Sequence, residues 1–257
     1  MQTEERSGVG LLSGDLAMAL DPAEFSRRAG IEPDQWQADL LRSTTPRVLL
    51  NCSRQSGKST TVAIKNVHTA LYEPGSLQLL ISPAFRQSQE LFRKCLDVYR
   101  NLGRPVVADA ENKLTLELSN GSRIVSLPGK EQTVRSFSGV RRITCDEASR
   151  IPDDLYRAVR PMLAVSGGEL IALSTPWGTR GWWYEAWESA ERWERYKVPA
   201  VECPRITPEF LAEELRTVGL FWYQQEYDCV FLDAQSQAFR RADIERAFTD
   251  DLEGWDL

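Results

Sequence analysis

The stretch that most constrains this chain is Cys52-Ser-Arg-Gln-Ser-Gly-Lys-Ser-Thr60, a run of small and polar residues set between two apolar elements of different period. Ahead of it, Val48, Leu49 and Leu50 form a short continuous apolar run, as a strand buried on both faces requires. Behind it, Val62, Ile64, Val67, Ala70 and Leu71 recur at near-helical spacing. The order strand, loop, helix follows. The core Ser56-Gly57-Lys58-Ser59 matches the end of a phosphate-binding loop. In such a loop, backbone N–H groups at a helix N-terminus surround a β-phosphate, the lysine neutralises β and γ oxygens, and the serine hydroxyl ligates Mg2+. Cys52 replaces the first glycine of the G-x-x-x-x-G-K-[ST] pattern, so the loop alone reads equally as a nucleotide site or a chance turn. The flanking strand and helix favour the nucleotide.

A second signal is independent of the first. Ile143-Thr144-Cys145-Asp146-Glu147-Ala148 places two adjacent carboxylates at the end of an expected strand. Asp146 would hold the water shell of a bound magnesium, and Glu147 would polarise the attacking water as general base. An Asp-Glu pair is common on solvated helix ends and says little by itself. Joined to Lys58 and Ser59 on another strand, it is the arrangement of an ATP-hydrolysing enzyme.

Periodicity orders the rest of the chain. Asp21 and Pro22 open a short helix that Gly30 stops, and a second helix starts after Pro33 and carries Trp36, Ala38, Leu40 and Leu41. Residues 77–81 read as a strand, 88–99 as a helix, and 143–145 and 170–173 as strands, an alternation that builds a parallel sheet between helices. Residues 114–118 and 123–127 flank an Asn120-Gly121 turn, the signal of a β-hairpin inserted at the sheet edge. After Gly181 the chain becomes aromatic, acidic and helical in pattern. Three regions are expected: N-terminal helices over 1–46, an ATPase core over 47–180 and a helical lid or linker over 181–257.

Composition narrows the chemistry further. At 257 residues the chain is one large domain or two small ones. No apolar run approaches the roughly 18 residues of a membrane span, and the N-terminus is acidic and polar. The five cysteines are scattered and never form a C-x-x-C pair, so they read as small buried hydrophobes. The single histidine, His68, cannot build a multi-histidine metal site, and a packed or surface role is expected of it. Net charge is −6, yet residues from Gly181 onward hold 8 Lys/Arg against 17 Asp/Glu, which leaves the first 180 residues basic. That split permits DNA binding by the first part without demanding it.

With these residues in view, the sequence resembles the N-terminal ATPase domain of bacteriophage large terminases, the motors that pump viral DNA into an empty capsid. Pro33-Asp34-Gln35-Trp36-Gln37 resembles the family's adenine-side motif, and Arg54-Gln55-Ser56-Gly57-Lys58-Ser59 resembles its phosphate loop, which carries an arginine and dispenses with the first glycine. Ser82-Pro83 with Gln87-Ser88 is similar to a helicase-like segment. Ser174-Thr175-Pro176 resembles the motif that couples hydrolysis to movement. The resemblance implies an α/β P-loop NTPase of the RecA-like kind, with a mainly parallel sheet, an inserted antiparallel hairpin and a helical C-terminal subdomain. It implies ATP and Mg2+ as cofactors. Trp36, Gln37 and residues Ser53, Arg54, Gln55, Ser56, Gly57, Lys58, Ser59 and Thr60 would bind nucleotide, and Ser59 and Asp146 would hold the metal. Lys58, Arg54, Arg135 and Glu147 would serve catalysis, with Ser174 and Thr175 in coupling. Double-stranded DNA, the portal protein and the small terminase are the implied partners. The chain would form a homo-oligomeric ring, with the isolated subunit free to be a monomer, in the host cytoplasm at the procapsid portal and away from membranes.

Several readings compete with these. Trp36 also suits a core position, and Arg54 also suits a pair with an acid. Arg135, in a segment rich in Ser and Gly, is the first choice for a cation acting in trans on the neighbouring subunit's phosphates, with Arg141 and Arg142 as competitors. Those two arginines depart from the family pattern, so the strand either starts at Ile143 or carries them on an exposed edge or at a ring interface. A two-domain helicase shares the motifs but needs a second lobe of roughly 150 residues, and about half of that follows Thr175. A non-hydrolysing nucleotide module is disfavoured by Lys58 and Glu147 together. Large terminases also carry an RNase H-like nuclease with clustered aspartates. No such cluster is recognisable here, so the expectation is ATP hydrolysis without DNA cleavage.

Overall fold

The computed structural model describes residues 8–128 and 137–233, with side chains from residue 13 onward. Three helices lead in: α1 (Gly8–Leu20), α2 (Pro22–Arg28) and α3 (Gln35–Arg42). Asp21 caps α2 by accepting the Ala23 N–H at 3.0 Å, with Pro22 at the first position where a missing donor costs nothing. Then β1 (Arg47–Cys52) runs into α4 (Lys58–Tyr72), and β2 (Leu77–Ser82) into α5 (Phe85–Asn101). A meander of β3 (Ala108–Glu111), β4 (Thr115–Leu118) and β5 (Arg123–Pro128) follows. The chain continues through β6 (Arg142–Asp146), α6 (Asp153–Val159), β7 (Glu169–Ser174), α7 (Gly181–Glu188), β8 (Glu194–Val198) and α8 (Pro208–Glu226).

The strands make one sheet in the order β3-β4-β5-β2-β6-β7-β1-β8. From β5 to β8 every neighbouring pair is parallel, while β3 and β4 are antiparallel additions at one edge. The predicted hairpin is therefore β4–β5, and β5 reverses direction in time to pair in parallel with β2. Because side chains alternate across a strand, Leu77, Leu79 and Ile81 of β2 and Ile143 and Cys145 of β6 face α6 and α7. Leu80, on the other face, packs with Phe25, Ile64, Val67 and Phe92 from α2, α4 and α5. A third cluster joins Leu50, Ile171 and Val198 at the β8 edge to Leu40 and Val62. The five cysteines are free and buried, and His68 packs edge-on against Phe25 with a ring nitrogen 3.1 Å from the Met18 carbonyl.

Two expectations need correcting. The region after Gly181 is not purely helical: Glu194–Val198 is a strand, in register beside β1 from Val48 to Cys52. Its alternation was hidden because an edge strand buries only part of its length, and β8 carries Glu194, Arg195 and Lys197. Arg141 and Arg142 lie neither on an exposed sheet edge nor at the nucleotide end. Arg142 opens β6 at 2% exposure, donates to Glu169 at 2.8 Å and to the Lys65 carbonyl at 2.8 Å, while Arg141 bridges Glu73 and Glu169. Both belong to an ionic lock at the opposite end of the sheet, paired with Glu73 and Glu169. Among the described residues, no helix is long and apolar enough to cross a membrane.

Candidate active site

In a parallel sheet, all loops leaving the C-terminal strand ends open on one rim. Here Asn51 of β1 stands opposite Ser174 of β7, and Leu173 opposite Asp146 of β6. The Lys58 loop, the carboxylate pair and the Ser174-Thr175 segment, all distant in sequence, therefore meet.

The loop from Ser53 to Gly57 holds its shape by internal bonds. The Ser56 hydroxyl donates to the Ser53 carbonyl at 2.9 Å, and Gln55 and Gly57 take left-handed backbone at φ of 61° and 90°. Gly57 leads directly into α4, and a Cβ there would lie 2.6 Å from Gln37 Nε2, so glycine answers both conformation and space. Lys58, 8% exposed, donates to the carbonyls of Cys52 and Ser53 at 3.3 and 3.2 Å and so lies along the loop's inner wall. Ser59 and Thr60 are half-buried in the first turn of α4. Ser53 is fully buried, its N–H donating to Val198 of β8 at 2.9 Å.

Asp146 ends β6 buried, one oxygen accepting the Glu147 N–H at 3.0 Å. Burial first, and the neighbouring Glu147 charge second, push its carboxyl up to about 6 against the pull of Lys58. Glu147 turns in left-handed conformation at φ 50°, which swings its side chain out of strand direction. The fully buried Ser174 hydroxyl lies 3.5 Å from Glu147 Oε2 and 2.7 Å from the Ser149 hydroxyl. The Ser174-Thr175 segment thus touches the expected base through Ser174, with Thr175 buried at the next position. Ser59 hydroxyl and Asp146 carboxylate are hard oxygen donors of the kind Mg2+ takes, and a carboxyl driven upward by burial is one that a cation returns to its ionised form.

The residues expected on the adenine side are engaged with protein. Gln37 Oε1 accepts the Asp34 N–H at 2.8 Å and Nε2 donates to the Ser56 carbonyl at 3.2 Å, so the amide braces the loop. Half-buried Trp36 packs in the Leu40 and Val62 cluster, the core role large aromatics commonly fill. Arg54 pairs with Glu226 at the end of α8, side chain at 2.6 Å and backbone N–H to its carbonyl at 3.1 Å, with Glu147 also in its field. Arg135 lies outside the described residues. Sequence reasoning missed Glu226, Ser149 and Arg205. The Arg205 guanidinium forks onto Asp34 at 2.9 and 2.6 Å and reaches the Ser56 carbonyl at 3.3 Å. None of the three stands in a recognisable motif, and only folding brings Glu226 and Arg205 to the loop and Ser149 to Ser174.

The strand order, the loop after β1 and the carboxylates after β6 define a P-loop NTPase fold. Residues 49–246 match the family model described as terminase large subunit, T4likevirus-type, N-terminal, and the chain belongs to that family. It is 28% identical over 181 residues to the large terminase subunit of Thermus virus P23-45, covering 63% of this chain and 37% of that protein. The chain thus spans little more than a third of that relative's length. Its fold is similar to the large terminase ATPase domain of Thermus phage P74-26, with a TM-score of 0.71 at 21% identity over 81% of this chain and 98% of that one. It is also similar to the large terminase of a thermophilic bacteriophage in complex with ADP, with a TM-score of 0.64 at 11% identity over 78% of this chain and 54% of that one.

Proposed function

We propose that this chain is the Mg2+-dependent ATPase motor of a phage large terminase, driving double-stranded DNA into a procapsid. The observation that carries it is the convergence of Lys58, Asp146, Glu147 and Ser174 on one rim of the sheet, in a chain belonging to the terminase family. The loop N–H groups and the start of α4 would cradle the phosphates, and Lys58 would exchange its two carbonyl partners for phosphate oxygens. Mg2+, held by Ser59 and Asp146, supplies positive charge to the phosphoryl oxygens when bound. Glu147 would take the proton of the attacking water, and Ser174 would pass the change at Glu147 to the segment after β7. Trp36 and Gln37 border the base side, and Arg54 is placed to trade Glu226 for the γ-phosphate.

Membership of the terminase family supports the wider reading: a ring of copies on the portal in the host cytoplasm, working with the small terminase. The regions 1–46, 47–180 and 181–257 would serve as leading helices, core and lid, with β8 lending the lid a strand in the core sheet. Arg135 would complete the neighbouring site in trans. Co-assembled Arg135→Ala and Glu147→Gln subunits should recover turnover that neither shows alone, and no recovery would remove Arg135 from that role. DNA cleavage is not expected of this chain, and metal-dependent nicking of plasmid by pure protein would overturn that.

The central experiment measures phosphate release beside ATP binding. Lys58→Ala should lose both. Glu147→Gln should bind ATP as before while turnover falls at least about a hundredfold, because the amide keeps the shape but cannot accept the proton. Normal hydrolysis by Glu147→Gln would defeat the catalytic assignment.

A further inference from the structure

The fork between Asp34 and Arg205 joins residues from the two ends of the chain beside the phosphate loop. Asp34 precedes α3, Arg205 lies between β8 and α8, and both guanidinium nitrogens of the fork are committed, one also to Ser56. Three hydrogen bonds fix the plane of a group whose side chain is still 48% exposed. An ordinary surface pair contributes little and leaves its members free to rotate. This one is built like a wall, with the Gln37 amide as its second course on the same Ser56 carbonyl.

Position says what the wall faces. Asp146 and Glu147 leave β6, two strands from β1 on one side, whereas Arg205 follows β8, next to β1 on the other. With the reacting phosphate drawn toward Glu147, the remainder of a nucleotide leaves the loop past Ser56 and Gly57, toward Arg205, whose Nη2 lies 3.7 Å from where a Gly57 Cβ would be. The Gln37 amide is already partly spent on protein, Oε1 accepting the Asp34 N–H and Nε2 donating to the Ser56 carbonyl, which leaves one lone pair and one N–H for a base edge. A flat, delocalised cation offers the base a stacking face, which an edge-reading amide does not. We propose that the Arg205 guanidinium, held flat by Asp34 and the Ser56 carbonyl, is the platform against which the base of the bound nucleotide stacks. This rests on the nucleotide-site reading above and adds a residue that positions the substrate through its base.

The test compares binding of ATP with binding of inorganic tripolyphosphate, which presents the phosphates and no base, to the full chain. Arg205→Ala should weaken ATP about tenfold, the scale of one lost stacking partner, and leave tripolyphosphate within about twofold. Arg205→Lys should stay weak, since it keeps the charge and loses the plane. Asp34→Asn, which frees the guanidinium without removing it, should lose ATP affinity in the same direction by less. ATP and tripolyphosphate weakening together would make Arg205 a brace for the loop, and unchanged ATP binding or full rescue by lysine would overturn the platform equally. The underlying site fails separately if the unaltered chain binds neither ligand, or if Lys58→Ala binds tripolyphosphate as tightly as the unaltered chain.

Discussion

Lys65 carries its ammonium into the protein and spends it on the end of a helix. It donates to the carbonyls of Leu40, Leu41 and Ser43 at 3.2, 3.1 and 2.6 Å, satisfying acceptors that the last turn of α3 leaves open. Burial, helped by the nearby Arg142 charge, pushes it down to about 8 from the usual lysine range near 10.5. The folded chain therefore releases this proton near pH 8, while the unfolded chain keeps it to about 10.5. Between those values the unfolded state binds more protons, so this group makes the fold more stable as pH rises. Urea unfolding at pH 8 and pH 10 should show the natural chain gaining on Lys65→Met by ~2 kcal/mol. Taking the difference between the two proteins cancels the tyrosines that titrate in the same range. A loss relative to Lys65→Met would mean that the charge is stabilised where it lies.

At the scale of elements, the site depends on strand ends being held in line. Register from Arg142↔Glu169 to Asp146↔Leu173 brings the carboxylate pair level with Ser174, and it is secured at the far end, where the Glu169 N–H donates to the Arg141 carbonyl at 2.9 Å. Gly168 makes that approach possible. A Cβ on it would lie 2.4 Å from the Val140 carbonyl oxygen and 2.8 Å from that of Arg141, both backbone atoms that cannot swing aside. Gly168→Ala should cost about 2 kcal/mol or more by overpacking, read as a lowered denaturant midpoint. It should also lower turnover by disturbing register at the other end of the same strands. A variant of unchanged stability would show that the β6–β7 start is softer than its contacts suggest.

Across the whole molecule, the C-terminal third is stitched to the nucleotide loop. Ser53 donates to Val198 and Arg54 to Glu226, and the Asn51 side chain donates to the Cys229 carbonyl at 3.0 Å. Arg150 lies 3.8 Å over the Trp177 ring, which meets Trp222 of α8 at 5.9 Å, so the segment after Ser174 and Thr175 also touches that region. These bonds cross the boundary drawn at residue 180. Heat unfolding followed by calorimetry should therefore show one cooperative transition for core and lid together. Two resolved transitions would show a separately folding lid and leave the stitches as weak contacts.

The elements that local pattern controls were legible before folding. The Asp21-Pro22 start, the Asn120-Gly121 hairpin, the apolar strands and the loop ending in Lys58 and Ser59 each depend on neighbours a few residues away, where propensity and period act directly. The place of Asp146 and Glu147 at a strand end was legible too, because the apolar run Ile143 to Cys145 leads into them. Tertiary structure alone decided the rest. Arg141 and Arg142 look like free cations in sequence, but in space Glu73 and Glu169 neutralise them at the far end of the sheet. Glu194–Val198 becomes a strand because β1 has an open edge, which outweighs a charged and weakly alternating sequence. Arg205 and Glu226 reach the loop because the chain returns to it after β8, and no local pattern encodes a meeting between residues 34 and 205. Sequence by itself determined which residues are candidates for the chemistry; the long-range packing of the sheet decided which charges are already paired and which candidates lie together.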